Sequence, residues 1–598
     1  MQDGHVLQLL TTYALAFAAA AALVPVCRLI AVHTGYVARP KADRWHQRHT
    51  ALLGGVAIAL VALAGGWLVD LSGQLRVLLL VGAGVAVLGL TDDVVNLRPS
   101  TKLVVEIALA SVLVYFGYRL HWFESLTLDA LVTLLWMVGV TNAFNLLDNM
   151  DGLCAGIGII AAGAFLVGAL DAAQPLQAGY LAVLMGALCG FLVYNFSPAS
   201  IFMGDTGSLF IGLTLSALAL DAAGAGGGAG LLSIVGAPVL LLLIPIFDTT
   251  LVTVLRILSG RKPSEGGRDH SSHRLVAIGL PERTAVMVLW TLAALGALIG
   301  IELRLAESGL GLPAAVALVL AMMIFAVYLS RIRVYDHADA GLVRSGRITP
   351  FVDNLMYKRR AAEVMLDLCL VALCYNVAYR LRFEGAEYPA NFQQFLTSLP
   401  IVIAAQMVTL FAVGAYRGVW RYFGLMDGVT FFKGVGLGTV AIVTTLVFVY
   451  RFENYSRGVF VIYGALLLLA LTGSRASFRL ISEFIRRRRA GDRLLIYGAG
   501  DAGSLVVREL QNDEHRHYRI LGFVDDDPAK ARQRVQGYPV LGGFDTLAVL
   551  AREGAVDAVV VSARDLRPDR LTALEELCAA NDIPLSRLHF RFEQLVAS

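Results

Sequence analysis

Charge is scarce in this chain. Asp, Glu, Lys and Arg make up 16% of its 598 residues, against about a quarter in an ordinary soluble domain. That shortage excludes a single soluble globule. The net charge of +3 leaves no electrostatic footprint for nucleic acid. Cysteine is also scarce: Cys27, Cys154, Cys189, Cys369, Cys374 and Cys578 lie scattered, and none forms a CxxC pair. Neither a zinc site nor a disulfide framework is indicated. No GxxxxGK[ST] occurs, which argues against an ATP-driven pump.

Apolar sequence abounds instead. Apolar residues make up 57% of the chain, Gly counts 59, and the mean hydropathy is +0.68. All three point to membrane helices and away from disorder. The run from Val6 to Ile30 is too long for a signal-peptide core and lacks a basic flank, so it reads as a retained span. Further spans are expected near 51–70, 76–91, 103–119, 126–144, 153–170, 177–195, 208–221, 231–256, 284–303 and 311–330. Lys and Arg collect in the loop holding Arg39, Lys41, Arg44 and Arg48, in 257–283 and in 331–360. With eleven spans these loops share one side, predicted cytoplasmic, with the N-terminus outside.

Four more spans, near 362–381, 398–416, 434–450 and 458–472, bring the total to about fifteen. The basic run Arg486 to Arg489 suits anionic lipid at the cytoplasmic surface. From about Asp492 the composition becomes soluble. Strand patterns at 494–497, 520–524 and 556–561 alternate with helical runs, implying a small parallel α/β unit. The expected fold is a polytopic α-helical membrane protein with a C-terminal cytoplasmic Rossmann-like α/β domain. The expected boundaries are a membrane domain at 1–335, a linker at 336–360, a four-helix membrane domain at 361–490 and the soluble domain at 491–598.

Polar residues at the span ends need a reason, because charge in lipid is costly. Asp92 and Asp93 close the third span, and a cation would relieve their repulsion. Lys102 opens the next span at the same face, as a snorkelling anchor or a phosphate-binding charge. Asn142, Asn145, Asp148 and Asp151 recur every three residues, which keeps neighbours on one helix face. Such a row can hold a polar ligand. In Phe202-Met203-Gly204-Asp205-Thr206-Gly207-Ser208 the glycines allow close backbone approach, and Asp205 offers magnesium one hard carboxylate. Asp248 reads as a supporting group or the partner of a basic loop residue. His270 and His273 lack a third metal ligand, and with Arg and Lys nearby they suit a pyrophosphate. His46 lies in the first basic loop.

Together these residues resemble the polyprenyl-phosphate N-acetylhexosamine-1-phosphate transferases, the superfamily of MraY and WecA, over roughly 1–335. The matching stretches are Asp92-Asp93-Val94-Val95-Asn96, Asn142 to Gly152, Phe202 to Ser208, His46 with Gly54 and Gly55, and His270 with His273. Ser272 stands where the family often has a further His. The resemblance implies transfer of a sugar-1-phosphate from a UDP-amino-sugar to polyprenyl phosphate in a bacterial inner membrane, with release of UMP. It implies Mg2+ (or Mn2+) at Asp205 and Asp92, and the lipid phosphate at Asp92 and Asp93. It further implies uridine at Asn145 and Asp148 against the Phe202 ring, and phosphates at Lys102, His270 and His273.

The second half is similar to the N-terminal region of membrane nucleotide-sugar dehydratases of the CapD and WbpM type. The carrying stretches are Arg417-Gly418-Val419-Trp420-Arg421-Tyr422 and Tyr497-Gly498-Ala499-Gly500. Gly498, Gly500 and Gly503 follow a strand, and Asp525 and Asp526 come about 25 residues later, as in nucleotide or NAD binding. No YxxxK follows the glycine loop, so a regulatory or scaffolding role is expected rather than catalysis. A homodimer is left open. The competing readings are a membrane transporter or flippase, whose carboxylates would lie at the midplane, and a catalytically silent nucleotide-sensing scaffold.

Overall fold

The computed structural model describes residues 2–38, 50–69, 73–121, 123, 125–224, 231–258, 261, 267, 269–305, 311–330, 332, 349–383, 387–416, 424–452, 455–487, 492–512, 518–562 and 566–588. His46 and the stretch Arg417 to Tyr422 therefore lie outside the described residues. The chain forms two compact units: the first is made of 1–277, 281–418 and 423–474, and the second is chiefly the chain from Arg475 on, so that the last turns of the helix reaching Arg487 belong to the second.

The first unit is helical. In chain order it holds α1 (Gln2–Thr34), the short strands β1 (Val37–Ala38) and β2 (Thr50–Ala51), α2 (Gly54–Leu68), α3 (Gln74–Val95), α4 (Pro99–Tyr115), α5 (Leu126–Leu147), α6 (Leu153–Asp171), α7 (Pro175–Asn195) and α8 (Gly204–Gly224). It continues with α9 (Leu231–Leu241), α10 (Leu243–Leu258), α11 (Ser271–Ala277), α12 (Glu282–Leu305), α13 (Gly311–Ser330), α14 (Thr349–Arg382), α15 (Glu387–Ala412), α16 (Leu425–Tyr450) and α17 (Arg457–Arg487).

Among the described residues eleven helices are long and apolar enough to cross a membrane: α1, α3, α5, α6, α7 and α12 to α17. The other expected spans are shorter. α2 and the apolar part of α8 fall below spanning length, and α4 has 17 residues. The expected span 231–256 is two helices, broken between Leu241 and Leu243. Pro238 inside α9 and Pro245 at the start of α10 explain the break, since neither can donate to the helical ladder.

α8 is the hub for the site. Its N-terminal turn is gripped by α2 and α3 at glycines. A Cβ on Gly55 would lie 2.1 Å from the Gly207 nitrogen, and one on Gly89 would lie 2.5 Å from the Asp205 carbonyl oxygen. Only glycine permits backbones this close. In the later helices an aromatic core forms around Tyr375, Tyr379, Phe395, Phe460 and Tyr463. There the buried Gln406 donates to the Gly434 carbonyl (3.1 Å) and accepts from Tyr463 (3.3 Å), tying α15, α16 and α17 together.

The second unit carries the α/β domain: β3 (Asp492–Tyr497), α18 (Asp501–Asn512), β4 (Tyr518–Val524), β5 (Arg534–Val535), β6 (Tyr538–Gly542), α19 (Phe544–Arg552), β7 (Ala558–Val561), α20 (Pro568–Ala580) and β8 (Leu585–Arg587). The sheet order is β5-β6-β4-β3-β7-β8. It is parallel except for β5, which runs antiparallel to β6. Alternation along β3 buries Leu495 and Tyr497 on one face with Leu547 and Leu574, and Leu494 and Ile496 on the other with Val506 and Val507. Tyr497 pairs with both Val524 and Val561. The loops after β3, β4 and β7 therefore meet at one carboxyl edge.

Candidate active site

Four helix ends meet at one point of the first unit. α3 ends in Asp92 and Asp93, α4 begins with Lys102 in its first turn, α5 ends near Asn145 and α8 begins at Asp205. The Lys102 ammonium joins them. It donates to Asp92 Oδ2 (3.4 Å), to Asn145 Oδ1 (3.3 Å) and to Asp205 Oδ2. Asn145 Nδ2 in turn donates to Asp205 Oδ1 (2.9 Å) and to Ser208 Oγ (3.0 Å). Asp92 Oδ1 accepts from the Leu97 backbone N–H at 2.6 Å, which fixes the carboxylate as α3 ends.

Asp93 has a different task. Its carboxylate accepts from the backbone N–H groups of Asp205 (2.9 Å) and Thr206 (3.0 Å) and from the Thr206 hydroxyl (2.7 Å). It caps α8, where the orphan N–H groups and the helix dipole favour an anion. Gly204, at φ 72, lets the chain turn here, and a Cβ on it would lie 2.8 Å from Asp93 Oδ2. Both Asp93 oxygens are committed to orienting Asp205.

Asp148 sits just past the end of α5. Burial, with the charges of Asp205 and Asp93 nearby, pushes its carboxyl up to about 7. Asn142 does not join the Lys102 group; it donates to Glu106, a buried acid that the sequence reading did not single out. Asp151 is turned to the Ala199 backbone N–H (2.8 Å) and secures the loop before α8. Phe202 is half-buried; its backbone pairs with Ala51 (2.9 Å) and Gly54 (3.0 Å).

The two histidines sit on a fastened segment. Asp248 in α10 accepts from the Ser271 N–H and hydroxyl, each at 2.6 Å, and pairs with His270 Nδ1 at 2.7 Å. Asp248 thus supports His270. The His270 and His273 rings lie 5.7 Å apart, and Arg256 holds the neighbouring Asp269 at 3.1 Å. Ser272 Oγ donates to Asn149 Oδ1 (2.6 Å), which ties the histidine segment to the residue after Asp148.

Charge accounting shows what such a site can bind. Asp92, Asp93, Glu106, Asp148 and Asp205 come together around Lys102. Among the described residues these acids outnumber Lys102, so a divalent cation would relieve the surplus. No three His, Cys, Asp or Glu side chains among the described residues form a metal cage of their own. One or two carboxylates completed by substrate oxygens is the arrangement magnesium takes, and Asp92 beside Asp205 fits it.

The α/β domain answers differently. Gly498 takes φ 109, and a Cβ on Gly503 would lie 2.3 Å from the Gly498 carbonyl oxygen, whereas one on Gly500 would meet open space. Asp525, however, accepts from the N–H groups of Ala499 (2.7 Å) and Asp527 (2.9 Å) and from Lys530 (3.0 Å). Asp526 accepts from the Tyr497 hydroxyl (2.6 Å), the Phe544 N–H (3.2 Å) and Arg570 (3.0 Å). Each acid already has three polar partners within the domain, so a ribose expected with a nucleotide or NAD would share carboxylates that the domain's own structure uses.

A helical bundle with spanning-length helices and this cluster at its helix ends defines a multi-pass membrane protein with a carboxylate-rich polar site. The chain belongs to glycosyl transferase family 4, whose model matches residues 75–223. A probable undecaprenyl-phosphate N-acetylglucosaminyl 1-phosphate transferase of Bacillus subtilis is 33% identical over 54% of this chain and 93% of its own length. A decaprenyl-phosphate N-acetylglucosaminephosphotransferase of Mycolicibacterium smegmatis is 35% identical over 44% of this chain and 74% of its own. A second family model, the CoA-binding domain, matches residues 412–564. A probable polysaccharide biosynthesis protein EpsC of Bacillus subtilis is 27% identical over 38% of each chain. The chain thus joins a family 4 region to a second region like those of polysaccharide-assembly proteins.

Proposed function

We propose that this chain transfers an N-acetylated amino-sugar-1-phosphate from a UDP-sugar to polyprenyl phosphate at the cytoplasmic membrane face, releasing UMP and starting cell-envelope polysaccharide assembly. The observation that carries this is the meeting of Asp92, Lys102, Asn145 and Asp205 from four helix ends. The names of the relatives support a polyprenyl phosphate as acceptor, undecaprenyl in one and decaprenyl in the other, and N-acetylglucosamine as sugar.

An oxygen of the lipid phosphate attacks the phosphorus bonded to the sugar, and the bond to the uridine phosphate breaks. UMP carries away the electron pair. Positioning and charge neutralisation dominate such transfers. Lys102 supplies a cation to the phosphates, and Asp92 orients the attacking lipid phosphate. Asp93 holds the first turn of α8 so that Asp205 faces the site. Asn145 and Asp148 receive the uridine beside Phe202, and His270, fixed by Asp248, meets the diphosphate with His273. Asp205 and Asp92 would hold Mg2+ (or Mn2+), which when bound neutralises diphosphate charge and polarises a phosphoryl oxygen.

The test incubates purified protein with polyprenyl phosphate and a panel of UDP-sugars and measures UMP. Lipid-dependent UMP from a UDP-N-acetylhexosamine is expected. A protein that moves lipid-linked sugar across vesicles while releasing no UMP would instead be a flippase.

A further inference from the structure

The site has a second polar layer. Glu106 lies four residues beyond Lys102 in α4, and Asn142 three residues before Asn145 in α5, so each sits one helical turn from its neighbour on the same face. The two meet, Asn142 Nδ2 donating to Glu106 Oε2. Glu106 is only 2% exposed, and its other oxygen, Oε1, is buried with no hydrogen-bond partner. A carboxylate oxygen left so is costly and points to a state in which it is used.

Lys102 is the cation in register with it, and its charge acts on Glu106 across that turn. Here Lys102 is engaged with Asp92, Asp205 and Asn145. Those two carboxylates are the ones given above to a divalent cation. An ammonium and a divalent cation repel each other and compete for these oxygens.

We propose that Glu106 is the alternative counter-ion of Lys102: when a divalent cation takes Asp92 and Asp205, the Lys102 ammonium moves one turn along α4 to Glu106 Oε1. There it stays charged and close to the diphosphate. Asn142 holds Oε2 and leaves Oε1 for this exchange, so Glu106 and Asn142 are positioning residues. This rests on the reading of Asp92 and Asp205 as metal carboxylates.

Mn2+ binding to the full chain in detergent, read from the electron spin resonance of the free ion, tests the exchange. Lys102→Met should tighten binding several-fold by removing the competing ammonium. Glu106→Gln keeps an oxygen for Asn142 and should weaken Mn2+ binding about tenfold when Lys102 is present. In the Lys102→Met background the same change should alter it less than about twofold. Equal effects in both backgrounds would overturn the exchange while leaving the metal reading intact. A native chain that binds no Mn2+ would overturn both. Folding is checked by melting and gel filtration. If Gln is not tolerated, Glu106→Asp decides: it keeps the charge and should stay within about threefold of the native affinity, and a tenfold loss would contradict the proposal.

Discussion

Asp205 and Asp93 differ in task as well as place: one faces Lys102 and Asn145, the other caps a helix. Substitution separates the two roles. Asp205→Asn should reduce UMP release at least about 100-fold, the scale of removing one electrostatic contact to a transition state, while the melting temperature holds. Asp93→Ala removes an acceptor of three hydrogen bonds, each to a charged group worth about 1.5–3 kcal/mol, and should lower the melting temperature as well as activity. Asp205→Asn with full turnover would remove that residue from the chemistry. Asp92, Lys102, Asn145 and Asp205 were legible in the sequence because polar groups at the ends of apolar spans demand a reason. Glu106 was not, because an acid four residues after a Lys reads as an ordinary helix pair until its burial is seen. Asp151, Asp525 and Asp526 stand out in the sequence only as polar positions, because side-chain direction is not written there. Nearby backbone N–H groups compete for such acids, and here they take them.

At the scale of elements, the site depends on how closely α8 approaches its neighbours. Gly55→Val would place side-chain atoms against the Gly207 backbone. It should push the first turn of α8 away from α2, lowering both the melting temperature and UMP release; unchanged melting and turnover would show that this contact does not set the site. In the soluble domain, Arg493 donates to both carboxylate oxygens of Asp557, at 2.9 and 2.7 Å, linking β3 to the start of β7. Those bonds hold the Asp557 carboxyl down at about 2, below the roughly 3.9 of an unfolded Asp. A lowered carboxyl stabilises above its unfolded value, so this contribution is complete above about pH 4 and fades as pH falls toward 2. Melting a fragment that begins at Asp492, native against Asp557→Asn, should show a difference at pH 6 that closes by pH 2. A difference independent of pH would assign the pair another role. The sequence showed the strands of this domain through their buried runs. It did not show the break in the 231–256 segment, since hydropathy is blind to the missing donors of Pro238 and Pro245.

For the whole molecule, every residue proposed for the chemistry precedes 335, and the family 4 match ends at 223. A chain ending at 335 and stable in detergent should therefore keep UMP release; a folded but inactive one would mean that the second half completes the site. The C-terminal α/β domain was readable from the shift in composition near Asp492, while the use of its acids was not. The central claim is that the sugar travels with its phosphate. The most direct measurement gives the purified protein undecaprenyl phosphate and UDP-N-acetylglucosamine labelled in the phosphate bonded to the sugar. The label is expected to enter the lipid phase, with one unlabelled UMP appearing per labelled lipid. Label remaining in water as UDP, with sugar alone on the lipid, would contradict it.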